Sequence, residues 1–129
     1  MLYFDTSALA QLIIDEEDSG ALRAWLRDRP GRTVVTCSIG AVELHRLAAR
    51  VSQAASAAAV LLLARIDILD LTPSVLALAG QLPSVEVRTL DALHIAAAAG
   101  LADLEMLVTY DHRMAAAARD YGLPVAAPS

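Results

Sequence analysis

The stretch Leu2-Tyr3-Phe4-Asp5-Thr6-Ser7-Ala8-Leu9 places three apolar residues directly before an Asp-Thr-Ser step, after which an apolar pattern resumes. A short apolar run of this kind reads as a buried strand. The Asp-Thr-Ser step opens a helix that carries Leu9, Leu12 and Ile13 along one side. Strand and helix continue to alternate outward from here. Ser19-Gly20 interrupts the first helix pattern, and Ala21 to Asp28 forms the next helix, stopped by Pro30-Gly31. Thr33 to Cys37 is β-branched and reads as a second strand. Ser38 caps a helix to about Val51, and Gln53 to Ile66 is another, with no strand between them, so the pair is free to project as an arm. Ile68 to Leu71 is a third strand, and Pro73 sits at the first turn of a helix that Gly80 and Pro83 end. Val85 to Val87 is extended, and Thr89 caps a helix through Ala99 that Gly100 closes. Met106 to Thr109 is a fourth strand, Asp111 to Tyr121 a last helix closed by Gly122, and a short strand lies near Val125. This alternation predicts an α/β fold, a parallel sheet covered by helices on both faces.

The chain of 129 residues fits one domain, over 1–129, large enough to hold a core without disulfides. Hydrophobic residues make up 57% and aromatics only 4%, so that core is built from Ala, Leu, Val and Ile. The net charge of -5 speaks against a broad basic nucleic-acid surface. It is compatible with a carboxylate cluster whose bound metal reverses the local charge. The ten basic residues are all Arg. The single cysteine, Cys37, has no Cys-His metal pattern around it and reads as a buried apolar residue. No signal peptide is evident, and the longest apolar stretch, Ala57 to Ala64, is far short of the ~20 residues of a membrane span. A cytoplasmic protein with no membrane association is expected.

Ligands of an open parallel sheet gather at the carboxyl ends of the strands. Asp5 follows the first strand, Glu43 lies early in the helix after the second, Asp91 is in the first turn of its helix, and Asp111 follows the fourth strand. Each has a local reading. Asp5 and Asp111 suit helix N-caps, Asp91 suits the positive end of a helix dipole, and Glu43 could pair with Arg46 and Arg50. Converging at one edge, the four would repel one another unless a cation sat among them, and oxygen ligands suit Mg²⁺ or Mn²⁺.

Tyr3-Phe4-Asp5-Thr6-Ser7-Ala8-Leu9, Ser38-Ile39-Gly40-Ala41-Val42-Glu43-Leu44, Leu90-Asp91-Ala92-Leu93-His94-Ile95-Ala96 and Val108-Thr109-Tyr110-Asp111-His112-Arg113 resemble, in order, the four acidic motifs of PIN-domain ribonucleases. The match covers essentially the whole chain and is nearest to the VapC toxins of type II toxin–antitoxin systems. The resemblance implies a PIN-like α/β/α sandwich with a five-stranded sheet of order 3-2-1-4-5. It also implies a homodimer, a VapB-like antitoxin partner, and endonuclease cleavage of RNA with Mg²⁺ or Mn²⁺. On that resemblance Asp5 and Asp91 would be the core metal ligands and Glu43 would complete the site. Asp111 would be a further, more variable acid, and Thr6, Ser7 and Thr109 would orient carboxylates or waters. The ion would neutralise a phosphate oxygen and activate a water for in-line attack, with a 5′-phosphate and a 3′-hydroxyl as products.

Arg46, Arg50 and Arg113 are placed to contact phosphates or to form local salt bridges. His94, one turn after Asp91, reads as a packed, hydrogen-bonded histidine, His45 and His112 as surface residues, and Trp25 as a partly buried packing residue. A phosphoacceptor receiver needs a Lys that the chain lacks. A haloacid-dehalogenase-like phosphatase needs a second Asp where Ser7 stands. The competing function is a PIN-like module that binds nucleic acid or protein without catalysis.

Overall fold

The computed structural model describes residues 1–84 and 86–129. Its strands are β1 (Leu2–Phe4), β2 (Val34–Cys37), β3 (Asp67–Leu69), β4 (Met106–Val108) and β5 (Val125–Ala126). They form one parallel sheet in the order β3-β2-β1-β4-β5. The helices are α1 (Thr6–Ile13), α2 (Ser19–Arg27), α3 (Ser38–Val51), α4 (Gln53–Leu63), α5 (Pro73–Gly80), α6 (Thr89–Ala99) and α7 (His112–Asp120). The α/β/α sandwich and its strand order are therefore those the motifs imply.

Side chains alternate across a strand, so β1 feeds both faces of the sheet. Leu2 and Phe4 enter one core with Leu9, Leu22, Leu44, Ala48, Ala59 and Leu63, contributed by α1 to α4. Tyr3 enters the other with Val35, Cys37, Ile95, Ala98, Leu107 and Met114, where α6 and α7 pack. Small residues on α4 and α6 let those helices lie close to their neighbours; Ala59, Ala96 and Ala98 are fully buried. The pair α3 and α4 is no free arm, because it packs against α1 through buried Leu44, Ala48, Ala55 and Leu63. What it leaves exposed is Val42, Val51, Val60 and Leu61.

Several boundaries differ from the sequence reading. Ser19 and Gly20 belong to α2 rather than breaking a helix, and Ser19 is buried with its hydroxyl bonded to Gln11 and to the Ile14 carbonyl. Ser38 and Thr89 are already helical; the caps are Cys37 and Arg88, neither with a side-chain cap bond. Strand β2 runs straight into α3, so Ser38 has no half-in position in which to act as a cap. Of the extended segment expected over 85–87, Val85 lies outside the described residues, and Glu86 and Val87 lie in a turn and a bend. Gly122 does close α7 with a left-handed φ of 94°, a conformation that suits glycine. Among the described residues, no helix is long and apolar enough to cross a membrane.

Candidate active site

The sheet order reverses between β1 and β4: from β1 the chain turns outward to β2 and β3, and β4 then returns to the other side of β1. A crevice at the carboxyl ends of such a strand pair is where open α/β sheets place ligands. Asp5 leaves β1 there and Thr109 leaves β4 beside it. Asp5 is 2% exposed and caps α1, its Oδ1 accepting from the Ala8 amide at 2.9 Å and from Ser7 Oγ at 2.7 Å. Its Oδ2 accepts from Thr109 Oγ1 at 2.6 Å. Burial raises the Asp5 pKa above its ordinary value, and these three hydrogen bonds only partly oppose that. Ser7 Oγ in turn accepts from the Tyr110 amide at 2.8 Å, which ties the two strand ends together.

Asp111 caps α7, accepting from the Met114 amide at 3.0 Å, and its own amide donates to Thr109 Oγ1 at 3.1 Å. Asp91 is half-buried in the first turn of α6. Burial, then the charge of Asp111, and more weakly that of Asp5, raise its pKa, against a partial offset from His94 and Arg88. Asp91 thus feels Asp111 and Asp5 as like charges at one edge of the sheet.

Glu43 reaches this edge by a different route. It does not pair with Arg46 or Arg50; its Oε1 accepts from Thr6 Oγ1 at 2.8 Å and meets His94 Nε2 at 2.7 Å. Burial would raise the Glu43 pKa, but the hydrogen bonds from His94 and Thr6 and the charge of His94 lower it. His94 is 2% exposed, and its Nδ1 lies 2.8 Å from Tyr3 Oη. Burial would lower the His94 pKa; its contacts with Cys37 and Glu43 and the proximity of Asp5 raise it instead. Burial pushes the Tyr3 phenol well up, so it stays protonated.

Thr6, Ser7 and Thr109 each bond one of the four acids, whereas Arg113 is exposed on α7 and joins none of them. His45 and His112 are exposed, Cys37 is buried, and Trp25 is half-buried beneath the Arg29 guanidinium, 3.9 Å from its ring centroid. Tyr3 and Gly40 went unnoticed in the sequence. The available signal was Gly40 itself, a glycine inside a helical pattern where no turn is needed. Beside Glu43 a groove of about 360 Å³ is lined by Thr6, Ile39, Val42, Arg46, Leu47, Arg50 and Leu90. The cavity between Leu82, Val87, Ile95, Ala117 and Tyr121 holds none of the four acids.

The donor set suits a hard divalent cation: carboxylate oxygens backed by hydroxyls, with Asp91 held up by like charges that a cation would relieve. Among the described residues no three His, Cys, Asp or Glu side chains already stand together as a ready-made metal site. The fit is one of donor chemistry and charge.

A family model for the PIN domain matches residues 2–120. The chain belongs to the PIN-domain family and, within it, to the VapC group. It is 42% identical to Ribonuclease VapC47 of Mycobacterium tuberculosis, over 99% of this chain and 97% of that protein. Its fold is similar to that of VapC20 of M. tuberculosis, described as a sarcin-ricin loop cleaving toxin, with a TM-score of 0.76, 20% identity and coverage of 99% and 100% of the two chains. It is also similar to a chain of VapBC2 from Rickettsia felis bound to a promoter DNA fragment, with a TM-score of 0.77, 19% identity and full coverage of both.

Proposed function

We propose that this chain is a Mg²⁺- or Mn²⁺-dependent endoribonuclease and the toxin of a type II toxin–antitoxin pair. The observation that carries this reading is the acid cluster at the sheet's switch point, where the charges of Asp111 and Asp5 add to burial in raising the pKa of Asp91. A structural cap gains nothing from such crowding, whereas a site built for a cation does. The whole-chain identity to a ribonuclease of the VapC group supports the same reading.

Asp5 and Asp91 would hold the ion, with Glu43 and Asp111 completing the set. A bound divalent ion supplies phosphate-charge neutralisation and water activation. The residues of the chain do the rest. Ser7, Thr109 and the Ala8 amide fix the Asp5 carboxylate, and Thr6 and His94 fix one oxygen of Glu43. The 2′-hydroxyl is not needed as nucleophile, so preference for RNA would come from binding. The groove beside Glu43 carries Arg46 and Arg50, and neither forms an ion pair among the described residues, which suits them to phosphates.

The test is cleavage of an RNA and a DNA of one sequence with Mn²⁺ and with chelator. RNA cut only with the metal, and not by Asp91→Asn, is the expected result. Metal-independent cleavage, or wild-type activity in Asp91→Asn, would sink it. The partner in this reading is a VapB-like antitoxin, and the active form is a homodimer.

A further inference from the structure

Glu43 lies on α3 and Asp91 on α6, so something must fix the first against the second. The helix pair meets at His94, three residues after Asp91 and therefore on the same helix face. We propose that His94 is a positioning residue that presents Glu43 to the acid cluster, with Tyr3 and Gly40 as its supports.

Three observations carry the assignment. First, a buried imidazole needs partners at both nitrogens, and both are supplied, by Tyr3 Oη at 2.8 Å and Glu43 Oε1 at 2.7 Å. The direction of the bond to Glu43 does not depend on ionisation. A neutral ring accepting from Tyr3 at Nδ1 carries its hydrogen on Nε2, and a charged ring carries one there as well. Second, the two bonds to Glu43, from Thr6 and His94, both fall on Oε1, and Oε2 takes none among the described residues. The carboxylate is thereby held with one oxygen saturated and one left for a ligand. Third, α3 comes close enough for this only because position 40 lacks a side chain. A Cβ there would overlap Thr36 Oγ1 and lie 3.1 Å from His94 Cε1. Glycine is disfavoured in a helix interior relative to Ala, yet it stands here, one turn before Glu43. A histidine that merely filled the core would need neither Glu43 nor this clearance.

The functional arm of the test rests on the ribonuclease reading. Mn²⁺ affinity by calorimetry, and kcat and KM for RNA, are measured for His94→Leu and His94→Gln, each alone and with Glu43→Gln. Loss of a partner that orients a ligating carboxylate typically costs 10–100-fold in metal affinity or activity. His94→Leu is expected to lose about that much in Mn²⁺ affinity and kcat, with KM little changed. His94→Gln, which can still donate toward Glu43, recovers most of the loss. In the Glu43→Gln background His94→Leu adds nothing further. Equal losses in both backgrounds, or unchanged Mn²⁺ affinity in His94→Leu, overturn the proposal. Should His94→Leu fail to fold, Tyr3→Phe and Gly40→Ala take its place, and both must lower Mn²⁺ affinity.

A wild-type protein that neither binds Mn²⁺ nor cleaves RNA overturns the ribonuclease reading instead. The pairing is then read without metal, from a slowly exchanging imidazole Nε2–H resonance that must shift in Glu43→Gln. A resonance that stays in place overturns the positioning role whatever the activity.

Discussion

At Asp91 the carboxylate faces burial and the charges of Asp111 and Asp5, and its folded-state pKa lies above the ordinary 3.8. A raised carboxylate pKa contributes stability below the unfolded value and loses it as pH rises through the folded one. Asp91→Asn removes that titration. Metal-free Asp91→Asn should therefore melt above wild type at about pH 7, and the gain should vanish at about pH 3. Saturating Mn²⁺ should reverse the order, because the ion stabilises only the chain that binds it. Thermal melts of both proteins at the two pH values, with and without Mn²⁺, check this; a lower melting temperature for metal-free Asp91→Asn at neutral pH would contradict it. The four acids were legible because each lies just after a strand or early in a helix, where local pattern speaks. The link from Glu43 to His94 was not, because it spans 51 residues and depends on how two helices cross. The local reading gave Glu43 to Arg46 and Arg50, but exposed arginines offer a carboxylate little against a buried donor.

Helices α3 and α4 carry the surface on which a partner would act. Leu44 and Leu63 are buried in the core and unavailable to a partner. Leu47 borders the groove beside Glu43, and Val51, Val60 and Leu61 are exposed. Leu61→Glu should weaken binding of a VapB-like tail by about tenfold and leave folding and RNA cleavage intact, since a charge in an apolar contact is costly to bury and Leu61 lies outside the groove of Arg46 and Arg50. Titration with the antitoxin reads the first effect and circular dichroism with a cleavage assay the second; unchanged affinity would move the docking site elsewhere. Arg46→Ala with Arg50→Ala should raise KM for RNA more than it lowers kcat. The salt slope of RNA binding should fall by about 1.4, the two-phosphate value for a single strand. An unaltered slope would remove both arginines from the substrate path. The strands and helices themselves could be read from periodicity, while the caps at Cys37 and Arg88 could not, because neither residue uses a side chain there. Their positions follow from where the strand or turn before them ends.

Large apolar side chains are exposed on several elements, among them Val42 and Val51 on α3, Val60 and Leu61 on α4, Ile68 on β3, Leu76 on α5 and Leu90 on α6. On the homodimer reading, sedimentation at micromolar concentration should give twice 13.6 kDa. A monomer throughout that range would count against it. The fold as a whole was legible because the strand–helix alternation admits few parallel arrangements. What alternation cannot convey is which strand lies in the middle. The first strand made, β1, sits between β2 and β4, and Asp5 takes one of its hydrogen bonds from Thr109, 104 residues further along. During synthesis the N-terminal strand therefore waits for nearly the entire chain before its central place can be filled. A nascent or prematurely ended polypeptide that stops short of β4 carries Asp5 but lacks both the neighbouring strand and the hydroxyl that hold it. On the ribonuclease reading, such an unfinished copy is expected to leave the RNA around it uncut.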